Sequence, residues 1–301
     1  MPIKKATEEH PDWSARAIAR ELGIAPATVC HYKNKWISKQ EGKISLREAY
    51  RCLDFDTNTP IDFMRMEEYD GSKVGIVAFS KGTFKYNGNS IGFGNMRRFP
   101  IDFFGHRFDC PETAYIACCY GLNNADCIRI QKEIQASTNG LKCKRQYRYN
   151  ETDREYGRKD FHQSEWHFNL MLYLVWHKCL KYPDFGEMLL AIPDNVAIIE
   201  NQNGFKKVKV GDWGCKNPEA KEAYDKRLAE LKSSGKATEK MKEAATIDTW
   251  SVGKWTGMNH CGKILMACRT ALRNHTVPHI DFQELNDAKI YLFGKLLIFN
   301  A

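Results

Sequence analysis

Glu112 stands second in Pro111-Glu112-Thr113-Ala114-Tyr115, at the head of an apolar run that reaches Tyr120. A carboxylate beside apolar neighbours can be tuned for proton transfer. The same residue at a helix start, after a proline suited to a first turn, can instead simply complement the helix dipole. A second acid, Asp212, lies in Gly211-Asp212-Trp213-Gly214-Cys215-Lys216-Asn217, where glycines frame a carboxylate, an aromatic and an amide. Gly92-Phe93-Gly94-Asn95-Met96-Arg97-Arg98 is a Gly-Asn turn followed by two cations. Such a turn presents backbone N–H groups and the arginines can fork onto phosphate, the alternative being a solvated loop. Lys142, Lys144, Arg145 and Arg148 form a cationic loop, read either as solvated surface or as a phosphate contact. The longest chemically dense stretch runs from Trp255-Thr256-Gly257-Met258-Asn259 to Arg269. Gly257 and Gly262 allow a sharp bend or a close approach to a ligand, and Asn259 can donate and accept at once.

The elements that must position these groups follow from periodicity. Lys263 to Leu272 has a helical pattern with Ile264, Met266, Ala267 and Leu272 facing a core. Asp160 to Tyr182 reads as one long helix ended by Pro183, and Glu187 to Ile192 as a short one. Residues 73 to 86 alternate as a strand or hairpin, residues 101 to 108 read as a small hairpin, and Val196 to Glu200 as a buried strand followed by a turn at Asn201 to Gly204. Residues 218 to 247 are charged, helical in propensity and poor in large apolar residues, which predicts a solvent-facing helical insert. The apolar segment from Ile290 to Phe299 should pack on the core.

The N-terminal stretch is of another kind. Ala15 to Leu22 predicts a short helix with Ile18, Ala19 and Leu22 on one face, Gly23 breaks it, and Ala25 to Lys35 predicts a second helix. A small residue at the crossing, a turn glycine and an apolar seal at Val29 have the spacing of a helix-turn-helix. Its second helix would offer Thr28, His31, Lys33 and Lys35 to a major groove. The expected organisation is a helix-turn-helix at 1–45, a linker at 46–72 with a helix from Leu46 to Leu53, and a larger domain at 73–301.

Composition bounds the class. With 301 residues, 43% hydrophobic and 27% charged, the chain can bury a substantial core. No run approaches the roughly 18 apolar residues that span a bilayer, and no apolar signal core opens the chain, so neither a membrane location nor export is expected. Eleven scattered cysteines lack the paired spacing of a zinc site and suit reduced thiols in a cytoplasm. No metal or cofactor is expected. The net charge of +8 agrees with a polyanionic partner.

Taken in order, the motifs resemble the NADAR family, also called YbiA-like. They are Gly94-Asn95-Met96 with Phe99-Pro100; Pro111-Glu112-Thr113-Ala114-Tyr115; Asn139-Gly140-Leu141-Lys142-Cys143-Lys144-Arg145; Trp166 ahead of Met171; Ile198-Ile199-Glu200; Trp213-Gly214-Cys215-Lys216-Asn217; and the stretch from Trp255 to Met266. The resemblance spans residues 74 to 275 and implies a compact, helix-rich α+β fold. It also implies an N-glycosidase of one of two kinds. One kind cleaves a ribosylamino-pyrimidine phosphate of riboflavin biosynthesis. The other removes ADP-ribose from guanine in nucleic acid, often opposing a DNA ADP-ribosyltransferase toxin. The helix-turn-helix, which lies outside the family domain, favours ADP-ribosylated DNA or RNA as partner. A non-enzymatic regulator that senses ADP-ribose is the third reading.

The resemblance implies roles. Glu112 would be general acid–base, Asp212 the second carboxylate with Asp248 as its rival, and Lys144 a Schiff-base former on an opened ribose. Trp166 would stack on base or ribose, with Trp213 and Gly257 also at the substrate. Asn95 and Asn259 would fix sugar or phosphate, and Arg97 and Lys263 would meet phosphate. The chain departs from the family pattern at Thr113, where His or Ala is usual, at Cys261, where Leu is usual, and in the place of its second carboxylate.

Overall fold

The computed structural model describes residues 15–22, 55–80, 82–148, 150–204, 213–235 and 238–300. The chain divides into two compact units, Met1–Asp54 and Phe55–Ala301. In the first, helix α1 (Ala15–Leu22) forms where the sequence places it and buries Ile18 and Ala19 while Arg20 and Glu21 are exposed. The second helix, with Thr28, His31, Lys33 and Lys35, lies outside the described residues, as does the segment from Leu46 to Leu53.

The second unit is α+β and helix-rich. Its centre is a parallel pair, β2 (Gly75–Phe79) beside β7 (Val196–Glu200), in register from Gly75 opposite Val196 to Phe79 opposite Glu200. Both strands are almost wholly buried, as their unbroken apolar runs require. An antiparallel pair, β1 (Glu67–Asp70) with β8 (Lys254–Gly257), connects to it through two bridges, Asn201 to Cys215 and Lys216 to Thr256. Small hairpins complete the strands: β3 (Phe84–Tyr86) with β4 (Asn89–Ile91), β5 (Ile101–Phe103) with β6 (His106–Phe108), and β9 (Tyr291–Leu292) with β10 (Lys295–Leu296). The last of these packs Ile290, Leu292, Leu297 and Phe299 inward.

Helix α2 (Pro111–Cys119) is buried along its whole length, and α3 (Ala125–Gln135) and α4 (Gly140–Tyr147) pack on it. Helix α5 (Glu151–Tyr156) follows, then a single 3₁₀ turn, Lys159–His162. Helices α6 (Trp166–Lys181), α7 (Pro183–Leu190) and α10 (His260–Asn274) form the other wall, α10 lying on β7. The insert is two helices, α8 (Pro218–Ser233) and α9 (Glu239–Asp248), and α11 (Phe282–Asp287) lies near the end. Among the described residues no helix is long and apolar enough to cross a membrane, and the described cysteines are buried and form no disulfide.

Three sequence expectations need correction. The linker assigned to 46–72 does not extend past Asp54, because Phe55, Phe63 and Tyr69 are buried and β1 is paired. The single helix over 160–182 is two pieces: the Ser164 hydroxyl donates to the Asp160 carbonyl at 2.8 Å, closing the 3₁₀ turn before α6 begins. The cationic loop at 139–148 is helix α4, because the Asn139 side chain accepts from Lys142 N at 2.9 Å and supplies an N-cap that outweighs the run of like charges.

Candidate active site

A cavity of about 1180 Å³ opens where the parallel pair ends. Crevices at the carboxyl ends of parallel strands are favoured ligand positions, since the chain must there diverge to either side. Phe79 and Ser80 come from the end of β2 and Glu200 to Gly204 from the end of β7. The turn Gly94-Asn95-Met96, Glu112 and Tyr115 of α2, Leu141, Lys144 and Arg145 of α4 with the following Arg148, Met171 of α6, Trp213, Trp255 and Cys261 complete this part of the wall. The insert contributes Ala220, Lys221, Tyr224 and Asp225 from α8, and Thr246 and Thr249 from α9 and its end.

Glu112 reaches the cavity through a fixed chain of backbone contacts. Thr113 accepts from Cys110 N at 3.2 Å and donates to Cys110 O at 2.8 Å, which locks the first turn of α2. Glu112 N donates to Asn95 O at 3.3 Å, so the Asn95 turn and the acid move as one piece. Gly140 brings α4 against this turn: a Cβ there would sit 2.8 Å from Cys110 Sγ and 3.1 Å from Met96 O. One helical turn on, Lys144 Nζ meets Glu112 Oε1 at 2.7 Å. The acid's side chain is 7% exposed and the lysine's 34%, so the pair is rooted in the wall with the ammonium toward the open side.

Asn95 is buried beside this pair. Its Nδ2 is 3.4 Å from Met171 Sδ and 3.8 Å from Cys261 Sγ, and its Oδ1 accepts from Lys178 Nζ at 3.4 Å. Lys178 is fully buried, with its ammonium 3.7 Å from the centre of the Phe185 ring, and burial lowers its pKa to about 8. A lysine that can only donate fixes which end of the Asn95 carboxamide it meets, and so sets Nδ2 on the two sulfurs, whose residues also line the cavity. The neighbouring thiols are poor nucleophiles: burial pushes Cys110 up to about 11, and Cys261 well above its ordinary value.

Of the residues chosen from sequence, the structure brings Glu112, Lys144, Asn95 and Trp213 to one cavity. Asp212 lies outside the described residues, and its rival Asp248 is exposed at the end of α9 away from the lining. The other candidates do not line this cavity. Arg97 is exposed, with its guanidinium over Phe99 at 5.5 Å. Trp166 is 3% exposed and packs against protein, edge-on to Phe161 at 5.0 Å and under the Arg158 guanidinium at 4.9 Å, away from the lining. Gly257 is a strand residue opposite Glu67. Lys263 is fully buried and donates to Asp62 O at 2.8 Å and Arg65 O at 2.7 Å while pairing with Glu67 at 3.3 Å, so it has no N–H left for phosphate.

Asn259 is likewise structural. Its Nδ2 donates to Ile198 O at 2.9 Å and to Tyr69 Oη at 3.1 Å, and its Oδ1 accepts from Glu200 N at 3.3 Å. It sits at φ 49°, a left-handed conformation that asparagine tolerates better than most residues. Gly262 permits the contact, since a Cβ there would lie 2.1 Å from Ile198 O. The signature near the C-terminus thus holds the end of β7, and through it Glu200, against the cavity. Glu200, named in the motif Ile198-Ile199-Glu200 but given no role there, is a further carboxylate on the wall; its position at the end of a buried parallel strand was the available signal.

His260, at the start of α10, is 3% exposed and donates from Nε2 to Phe63 O at 2.8 Å, while Nδ1 has no hydrogen-bond partner among the described residues. Burial lowers its pKa from 6.5 to about 4. The unfolded chain therefore takes up a proton first: this contribution to stability is complete above pH 6.5 and is lost as pH falls toward 4. Urea unfolding should show about 2–3 kcal/mol lost between pH 7 and 4.5 from this group, and His260→Gln should flatten that part of the profile. An unchanged slope in the variant would remove the assignment.

No family model matches the chain, and no curated protein matches it. Among solved structures, the chain is similar to the NMR structure of the E. coli protein YbiA, with a TM-score of 0.38 and 17% identity over 68% of this chain and 89% of that one.

Proposed function

We propose that the second unit is an N-glycosidase that hydrolyses the bond between ADP-ribose and guanine in nucleic acid. The observation that carries this reading is the Glu112–Lys144 ion pair at 2.7 Å, lining the same cavity as Glu200 and Asn95. The order of motifs that resembles the NADAR family supports it, because residues from most of those motifs line that cavity. Cleaving a C–N bond at an anomeric carbon builds positive charge on the sugar. Glu200 stabilises that charge, and Glu112 carries the proton to the departing nitrogen.

Lys144 adds a covalent route. Once Glu112 has taken its proton, the amine attacks C1 of the opened ribose. The bond from C1 to the guanine nitrogen breaks, the base leaves with the proton, and the resulting imine is hydrolysed by water to free ADP-ribose and lysine. Arg145, exposed on the same wall, offers a guanidinium to the diphosphate, in place of Arg97 and Lys263, while Arg148 is buried and paired with Asp153 at 2.9 Å. A base inside a duplex cannot enter, so the substrate is single-stranded or flipped out.

Incubation with an ADP-ribosylated oligonucleotide should release ADP-ribose. Turnover of a ribosylamino-pyrimidine phosphate alone would move the activity to that small metabolite, and tight ADP-ribose binding without turnover would favour a sensor. Borohydride should trap a protein–ADP-ribose adduct in the wild type and none in Lys144→Ala; absence of the adduct from the wild type would reject the covalent route. Residues 1–54 are proposed to bring the enzyme to DNA, and deleting them should weaken oligonucleotide binding without abolishing hydrolysis. A pairing with a DNA ADP-ribosyltransferase toxin would make the activity an antitoxin.

A further inference from the structure

The cavity exceeds the roughly 300–1000 Å³ usual for a small-molecule site, and part of its wall has no place in the chemistry above. That part is the turn after β7 together with helix α8. Gln202 is only 9% exposed and lines the cavity, yet its Oε1 has no hydrogen-bond partner among the described residues. An unsatisfied buried acceptor is unfavourable until something donates to it. The terminal torsion of a carboxamide is soft, so rotation turns this oxygen to the cavity. The same cavity is lined from α8 by a half-buried aromatic ring, Tyr224.

The two pieces are held at a fixed separation. Asn217 caps α8 by accepting from Ala220 N at 2.9 Å. Its backbone N–H donates to Asn203 Oδ1 at 2.7 Å, which ties the helix to the turn carrying Gln202. Helix α9 is anchored in turn, with Glu243 accepting from Lys85 N at 2.6 Å. A ring and a carboxamide in one cavity wall, carried by segments tied together through Asn217 and Asn203, offer a stacking surface and a polar edge to a flat heterocycle.

We propose that Gln202 and Tyr224 form a nucleobase subsite selective for adenine, with Tyr224 stacking on the ring and Gln202 pairing with its amino edge. A carboxamide places an acceptor beside a donor, which matches the adenine amino group and N7. Hypoxanthine carries a carbonyl in place of the amine and presents two acceptors instead. The subsite rests on the N-glycosidase reading only in assigning the adenosine end of ADP-ribose to it.

Titration calorimetry of the full chain with AMP and with IMP tests this directly. The wild type should bind AMP at least tenfold more tightly than IMP, and Gln202→Leu should abolish the difference. Tyr224→Ala should weaken AMP about tenfold, in line with about 1–3 kcal/mol for base–aromatic stacking, while Tyr224→Phe should bind as the wild type does. If Gln202→Leu melts early, the wild-type AMP/IMP ratio and the Tyr224 pair decide the matter. Equal binding of the two nucleotides, no AMP binding, or a preference retained in Gln202→Leu overturns the subsite. A protein that prefers AMP but releases no ADP-ribose from modified oligonucleotide keeps the subsite and overturns the hydrolase; hydrolysis without the preference does the reverse.

Discussion

Glu112→Gln should lower the single-turnover rate of ADP-ribose release by about 10²- to 10⁴-fold, the range for a lost general acid–base. The substitution preserves shape, and the amide oxygen can still accept from Lys144, so the geometry of the α2–α4 contact survives. What it removes is the ability to take the lysine's proton and pass it to the leaving nitrogen. Stability should change little. Lys144 is one-third exposed and stays hydrated, so the lost ion pair is worth about 1 kcal/mol or less after solvent screening. A melting temperature within a few degrees of wild type, together with the collapsed rate, separates chemistry from folding. A rate within threefold of wild type would exclude Glu112 from proton transfer, and Glu200 would then be the residue to test.

The second large effect lies on stability. Lys263→Met should cost about 3 kcal/mol, because it strips a fully buried ammonium from Glu67, itself 1% exposed, and from two backbone carbonyls. Glu67 keeps one partner, Arg65 at 2.8 Å, which prevents outright unfolding but does not replace the lost donors. At about 2–4 °C per kcal/mol for a unit of this size, the melting temperature should fall by on the order of 10 °C. Below that transition the variant should keep its KM for the modified oligonucleotide within about twofold. A KM raised tenfold with unchanged melting would restore the phosphate role to Lys263.

The two variants show what could be read from the chain. Buried apolar runs located β7, α10 and the C-terminal hairpin, because those elements owe their existence to a hydrophobic pattern. The catalytic pair was visible as types, an acid before an apolar run and a lysine among cations, but their meeting depends on Gly140, whose close approach is a fact of three dimensions. The sequence could not distinguish a polar residue facing a ligand from one satisfying backbone. Asn259 and Lys263 look like ligand contacts in a motif, yet Asn259 is consumed by backbone groups of β7 and Lys263 by carbonyls of the turn before β1 and by Glu67. Glu200 stood in a motif but received no role for the opposite reason: at the end of an apolar strand it reads as a boundary. The linker was misplaced because Asp54 to Pro60 is rich in turn formers, a local signal that carries no information about the burial of Phe55 and Phe63.

The Asn217 side chain also donates to Val252 O at 2.6 Å, so the chain leaves for α8 and returns from α9 at nearly one point. A segment whose two ends meet is topologically detachable. It can be lengthened, exchanged or lost in descent without rerouting the scaffold, and only the region around Tyr224 would change. Selectivity for what lies beyond the scissile bond can thus evolve at a rate of its own, uncoupled from the acid and lysine that break it.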